Sequence, residues 1–228
     1  MNNNLQRNYT IAYSLLGILW MVLLPWKPFE YSFMLRPLSS ILLVYIAHKY
    51  TSKGFGKIIF LGILFGLAGD YFLAPSSENF FIFGLVAFLI GHIFYIIAFL
   101  KEGIKTEKWK WIVLFILFAY SIFMIIIMVK RILFLNKPIM IAPIILYLII
   151  ICTMAATAVL RKQKNNYIIF GAFIFVASDS LLALNYILSD IASIKVLFLG
   201  VFTYILGQYL IVFGAVKENN YLNKNTTL

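Results

Sequence analysis

Ala68-Gly69-Asp70-Tyr71-Phe72-Leu73-Ala74 and Ala177-Ser178-Asp179-Ser180-Leu181-Leu182-Ala183 are two versions of one phrase, an acid set among the same neighbours inside a long apolar run. If the runs are membrane helices, each carboxylate costs roughly 2.5 kcal/mol or more on insertion scales, so an acid kept there reads as functional by default. Two in matching surroundings suggest a shared site. The composition puts the runs in a membrane. Of the 228 residues 63% are apolar and 12% charged, and the mean hydropathy is +0.97. No water-soluble domain of this length has that balance. The lone Cys152, in the middle of an apolar run, excludes an intramolecular disulfide and a thiolate metal cluster and reads as a small core residue.

Outward from the two acids, hydropathy divides the chain into eight segments, at 9–26, 31–49, 57–75, 79–100, 109–129, 138–160, 167–188 and 195–216. Each is close to the roughly 20 residues that a spanning helix needs. Arg7 ahead of the first segment gives it the look of a signal peptide, but Leu24-Pro25-Trp26 offers no small-residue cleavage site, so it is read as a spanning helix. The connections are short and polar, which leaves room for one membrane domain, 1–228, and no soluble one. The expected fold class is all-α, polytopic, with eight transmembrane helices.

Charge placement orients these helices, because Lys and Arg are retained on the cytoplasmic side. Thirteen of the 19 basic residues fall at the N-terminus, in the loops around Lys53, Lys105 and Lys162, and in the C-terminal tail; the other six are Lys27, Arg36, Lys130, Arg131, Lys137 and Lys195. Both termini are therefore expected in the cytoplasm. The net charge of +11 reads as an orientation signal and an attraction to anionic lipid. No basic stripe is interleaved with soluble structure, so no nucleic-acid partner is expected.

An internal repeat organises the segments. Gly84-x-x-x-Phe88-x-x-Gly91-His92 in the fourth matches Gly200-x-x-x-Tyr204-x-x-Gly207-Gln208 in the eighth, and Arg36-Pro37 in the second aligns loosely with Ala142-Pro143 in the sixth. The expectation is a tandem duplication of four helices, repeat one at about 9–100 and repeat two at about 109–216. An even number of helices per copy makes the copies parallel, related by an axis along the membrane normal. Duplicated polar residues and small Gly positions also serve helix packing by themselves. Against packing alone stands the number of other polar groups at compatible depths: Arg36, His92, Tyr95, Tyr147, Asn185, Tyr204 and Gln208.

Read in order, GDYFLAP at 69–75, FGLVAFLIGHIFYIIAF at 83–99, GAFIFVASDSLLAL at 171–184 and TYILGQYLI at 203–211 resemble the lysoplasmalogenase family of YhhN-like membrane proteins over nearly the whole chain. The one departure is Arg36-Pro37, where the family usually has Lys-Pro. Positive charge is kept, but a planar fork replaces a point charge. The resemblance implies hydrolysis of the vinyl-ether bond of an alkenyl lysophospholipid in the bacterial inner membrane, releasing a fatty aldehyde and glycerophosphoethanolamine or glycerophosphocholine. Oligomeric state is not legible.

The residues can be asked whether they suit that chemistry. Acid hydrolysis of an enol ether begins with protonation of the distal alkene carbon, giving an oxocarbenium ion that water attacks before the hemiacetal collapses. The site needs a proton donor, an anionic stabiliser and water. Asp70 and Asp179, one neutral and one ionised, supply the first two by the logic of paired carboxyl groups. If Arg36 lies beside Asp70, it keeps Asp70 ionised and leaves Asp179 as the acid; if Arg36 binds the lipid phosphate instead, the assignment stays open. Arg36 and Asp70 are expected at one depth, Asp70 about 8 Å below the end of its helix at about 1.5 Å per residue.

No metal and no cofactor is expected. The two histidines, His48 and His92, lack a ligand pattern around them, and zinc needs three or four ligands. Gly-rich phosphate loops and dinucleotide fingerprints are absent, and Ser178 has no nucleophile-elbow setting. The rival reading is a proton-coupled transporter, since parallel repeats with central acids are also a transporter pattern.

Overall fold

The computed structural model describes residues 3–26, 32–51, 54–73, 78–162, 165–187 and 193–225. Eight α-helices fill almost all of this: α1 Asn3–Leu23, α2 Ser32–Tyr50, α3 Phe55–Phe72, α4 Glu78–Lys101, α5 Lys108–Phe134, α6 Ile141–Leu160, α7 Asn166–Ile187 and α8 Ile194–Asn225. Single 3₁₀ turns follow α1 and precede α6, and the described residues contain no strand beyond one isolated bridge between Ile104 and Arg161. The eight segments expected from hydropathy are thus the eight helices, with shifted ends. α5 runs five residues past its expected end, and α8 continues to Asn225, carrying Lys217 and Lys224 on the helix rather than in a tail.

Seven of the helices are long and apolar enough to cross a membrane, so the chain is a multi-pass membrane protein. The exception is α2. Arg36, Ser39, Ser40, His48 and Lys49 dilute its apolar residues, and the polar residues nearest its start are turned inward, Ser39 and Ser40 both being buried.

Six helices close into a ring, in the order α2, α3, α4, α6, α7, α8 and back to α2; α1 packs outside on α2 and α8, and α5 outside on α6 and α7. Two pairs approach most closely, α3 with α4 and α7 with α8, and both do so through glycine. A Cβ on Gly91 would lie 2.9 Å from the Gly62 carbonyl oxygen, and one on Gly207 would lie 3.2 Å from that of Gly171. Only hydrogen at these positions lets the backbones meet, the close approach that substitutes for a hydrophobic driving force in lipid. α1 is tied to α8 by polar contacts at helix depth, Tyr13 Oη donating to the Ile205 carbonyl at 2.8 Å and the Thr10 and Tyr209 hydroxyls meeting at 2.7 Å.

At the face that carries the chain termini, two cations counted as surface charge are instead buried. Arg161 is 1% exposed, pairs with Glu218 at 2.5 Å and stacks over Phe55 and Phe99 at 4.7 and 5.7 Å. Lys110 is equally buried and donates to the Lys105 carbonyl at 2.6 Å. The cause is local. Residues 103–105, turning at Gly103 with φ of 80°, hydrogen-bond to 160–162 in both directions, Lys105 N–H to the Leu160 carbonyl and Lys162 N–H to the Gly103 carbonyl, each at 2.8 Å. This draws the end of α6 under the α4–α5 connection. Hydropathy and charge counts carry no signal of such a fold-back.

Candidate active site

Helix direction brings the acids and their partners together. Short connections turn each helix back on the one before, so α3 and α7 start at the terminal face while α2, α4, α6 and α8 start at the far face. Side chains on a helix lean toward its N-terminus. Asp70 and Asp179 on α3 and α7 therefore lean down into the bundle, and the donors on the even-numbered helices lean up to meet them. Asp70 is only two residues from the end of α3 and Asp179 eight from the end of α7. At about 1.5 Å per residue, Asp70 lies about 3 Å below the end of its helix, shallower than the sequence implied. The last turn closes with Leu73 N–H on the Gly69 carbonyl at 2.9 Å, two residues ahead of Pro75 in the sequence.

Each acid accepts from the helix that precedes its own in the chain, Asp70 from α2 and Asp179 from α6, and Asp70 accepts from α8 as well. Asp70 is fully buried and ion-paired with Arg36, whose Nε lies 3.0 Å from Oδ1. Its Oδ2 accepts from Ser40 Oγ of α2 and, at 2.6 Å, from Tyr204 Oη of α8. Gln208 Nε2 donates to Tyr204 Oη at 2.5 Å, which fixes the phenol as a donor toward Asp70. Every site on this carboxylate is thus an acceptor site. The guanidinium also offsets an anion at the C-terminal end of a helix, where the helix dipole opposes it.

Asp179 is less occupied. Its Oδ2 accepts from Tyr147 Oη of α6. His92 Nε2 of α4 lies 3.9 Å from the same oxygen, too far for a direct hydrogen bond. No other described residue donates to it, and its side chain is 11% exposed against 0% for Asp70. His92 is buried with neither ring nitrogen hydrogen-bonded, and the Gln208 Oε1 is likewise unpartnered. The His92 ring sits edge-on to Phe175 at 5.0 Å and Tyr147 at 5.5 Å, and Phe175 in turn to Tyr204 at 5.6 Å. That aromatic chain joins the two acids' surroundings, and Asp179 lies within electrostatic reach of both Arg36 and Asp70.

Arg36, Asp70, His92, Tyr147, Asp179, Tyr204 and Gln208 are therefore assembled in one place. Tyr95 stands apart from the carboxylates: its ring covers Gly62, where a Cβ would be 2.4 Å away, and stacks on Phe99 at 6.3 Å. Asn185 is in the last turn of α7, with its side chain outside the described residues. The sequence reading missed Ser40, although it stands one turn after Arg36 on the same face of α2. It also missed Trp20 of α1, which packs against the site without any polar pattern around it. Ser178 donates to the Gly200 carbonyl at 3.0 Å, a helix-packing contact. Among the described residues no group of three or more His, Cys, Asp or Glu is arranged to hold a metal.

Compared with known protein families, residues 31–215 match the YhhN family. No curated protein and no solved structure matches the chain. The first helix, with Trp20, precedes the matched residues.

Proposed function

We propose, since this chain belongs to the YhhN family, that it is a lysoplasmalogenase, an ether hydrolase converting an alkenyl lysophospholipid and water to a fatty aldehyde and glycerophosphoethanolamine or glycerophosphocholine. The observation that carries the reading is the inequality of two acids in one site: Asp70 is saturated by Arg36, Ser40 and Tyr204, while Asp179 has one donor and some exposure. Enol-ether hydrolysis needs that inequality, one carboxyl to move a proton and one anion to stay in place. Asp179, protonated, gives its proton to the distal alkene carbon, and the cation that forms on the ether-bearing carbon is balanced by the new Asp179 carboxylate together with the Asp70 anion that Arg36 holds in place. Water adds to that carbon and returns a proton to Asp179. The hemiacetal then breaks its bond to the glycerol oxygen, which takes up the proton that the hemiacetal hydroxyl gives up as the aldehyde leaves. His92, whose unpartnered Nε2 is near Asp179, orients the water. Tyr147 holds the Asp179 carboxyl.

The test is aldehyde release from an alkenyl lysophospholipid by purified protein in detergent, where no gradient exists. Turnover there is expected. Transport across sealed vesicles with no turnover in detergent would assign the site to a proton-coupled transporter.

The architecture we propose is two parallel four-helix repeats with all eight helices spanning. The paired approaches Gly62–Gly91 and Gly171–Gly207 support it, as does the crosswise placing of Tyr204 of α8 on Asp70 and of His92 of α4 near Asp179. The same scheme carries α2 across the bilayer, its inner polar residues Ser39 and Ser40 buried in the bundle and His48 and Lys49 exposed in its last turn. Both termini then face the cytoplasm, with the acids toward the outer surface of the inner membrane. In a Cys152→Ala background, cysteine at exposed Ile139 should react with an impermeant thiol reagent in intact cells and cysteine at Lys162 should not. The reverse pattern would invert the orientation.

A further inference from the structure

We infer that Arg36 serves two ligands at once: its Nε holds Asp70, and its terminal amino edge receives a phosphodiester oxygen of a zwitterionic lipid headgroup, with Trp20 as the wall that fixes the guanidinium between them. This deepens the hydrolase reading and rests on it for the choice of lipid.

The geometry divides the guanidinium. Nε is committed to Asp70 Oδ1 at 3.0 Å, yet the Arg36 side chain is 14% exposed while Asp70 is wholly buried. The side chain thus reaches the edge of the buried site, and no described residue accepts from its terminal nitrogens. The group rests against two aromatic rings, its Cζ 5.8 Å from the centre of Trp20 and 5.9 Å from that of Tyr204. Those rings meet edge to face at 6.3 Å, so together they form an aromatic corner on one side of the fork. A planar fork with a free end is the group that pairs with phosphate oxygens. A second, independent feature marks the same place: Trp20 is 3% exposed, and its buried indole N–H has no partner.

Charge selects the ligand. Arg36 and Asp70 neutralise each other, so a dianion brought to the fork adds two negative charges beside a buried carboxylate. A phosphodiester carrying its own ammonium adds none. Depth agrees, because Arg36 is in the second turn of α2 and Asp70 in the last of α3, at one face of the bundle, and Asp179 belongs to the same cluster of polar side chains. A headgroup on Arg36 leaves the glycerol and the first atoms of the chain beside Asp179.

The experiment measures binding by the full-length protein in detergent, without turnover, using a saturated alkyl-ether lysophosphocholine and the alkylglycerol of the same chain. The wild type should prefer the phospholipid about 10- to 100-fold, the range of one charge-assisted hydrogen bond. Trp20→Leu should reduce that preference at least several-fold with alkylglycerol binding unchanged, and Trp20→Phe, which keeps the wall, should largely restore it. Because Arg36→Gln alone strands Asp70, the charge-neutral pair Arg36→Gln with Asp70→Asn is the second variant, and it should abolish the preference. An unchanged preference in that pair, or a wild type that binds both lipids equally or neither, overturns the proposal. Glycerophosphocholine should displace the lipid at lower concentration than inorganic phosphate; the reverse order overturns the headgroup as the source. Aldehyde release without headgroup preference would remove this subsite and leave the hydrolase. Headgroup preference without aldehyde release would do the opposite.

Discussion

Asp179→Asn is expected to lower aldehyde release by about 10²–10⁴-fold, the usual contribution of a general acid–base group, in a protein that remains folded and inserted. The amide oxygen still accepts from Tyr147, as the carboxylate does, so the side chain keeps its place and loses only the proton it must give and take back. Asp70→Asn is expected to be nearly as damaging for a different reason, because it removes the anion that Arg36, Ser40 and Tyr204 surround. Residues acting as a unit are strongly non-additive, so the double variant should be scarcely slower than either single one. In the wild type the pH–rate profile should be bell-shaped. Activity falls on the alkaline side as the donor loses its proton and on the acid side as the retained anion gains one, and both limbs belong to the coupled pair. Near-normal turnover in either asparagine variant of the purified protein would reject the two-carboxyl mechanism and return that aspartate to helix packing.

The site was legible in the sequence to the extent that its residues break an apolar background. Asp70, Asp179, Arg36, His92 and Gln208 each stand out in a membrane helix because polarity there is expensive, and the structure brings these five together. Ser40 and Trp20 carried no such signal. A serine hydroxyl is cheap at helix depth and a tryptophan near a helix end is ordinary in a membrane protein, so only the positions of neighbouring helices reveal what they touch. Tyr147 and Tyr95 looked alike as lone tyrosines; one donates to a carboxylate and the other covers a glycine. Nothing in their own helices separates them, since the difference is which helix lies opposite. The helices themselves were readable from length and hydropathy, and their ends were less so. α3 stops at Phe72 and leaves Asp70 in its last turn, whereas α7 runs on past the matching residue, an asymmetry that two similar heptads conceal. Arg161 shows the converse error, a charge assigned to water that is buried on aromatic rings.

Arg36→Ala is expected to cost about 3–5 kcal/mol of stability, the range for removing one partner of a buried ion pair, because it leaves a charge with no counterion. The loss should be lopsided. Asp70 is wholly buried and Arg36 is not, so an unpaired Asp70 keeps only the Ser40 and Tyr204 hydroxyls, while an unpaired Arg36 still reaches the polar edge of the bundle. Asp70→Asn should therefore melt well above Arg36→Ala in thermal unfolding of the detergent-solubilised protein. Combining Arg36→Ala with Asp70→Asn should recover part of the deficit of Arg36→Ala, since the asparagine no longer needs a cation. Arg36→Lys keeps the charge but cannot both hold Asp70 through Nε and offer a free fork, so it should remain folded with reduced activity. Equal melting of the two single variants, or a double variant that melts below both, would mean that the pair contributes through packing and not through charge. Asp70 would then have no need of Arg36 to stand at the end of α3, and the division of labour between the two acids would lose its physical basis.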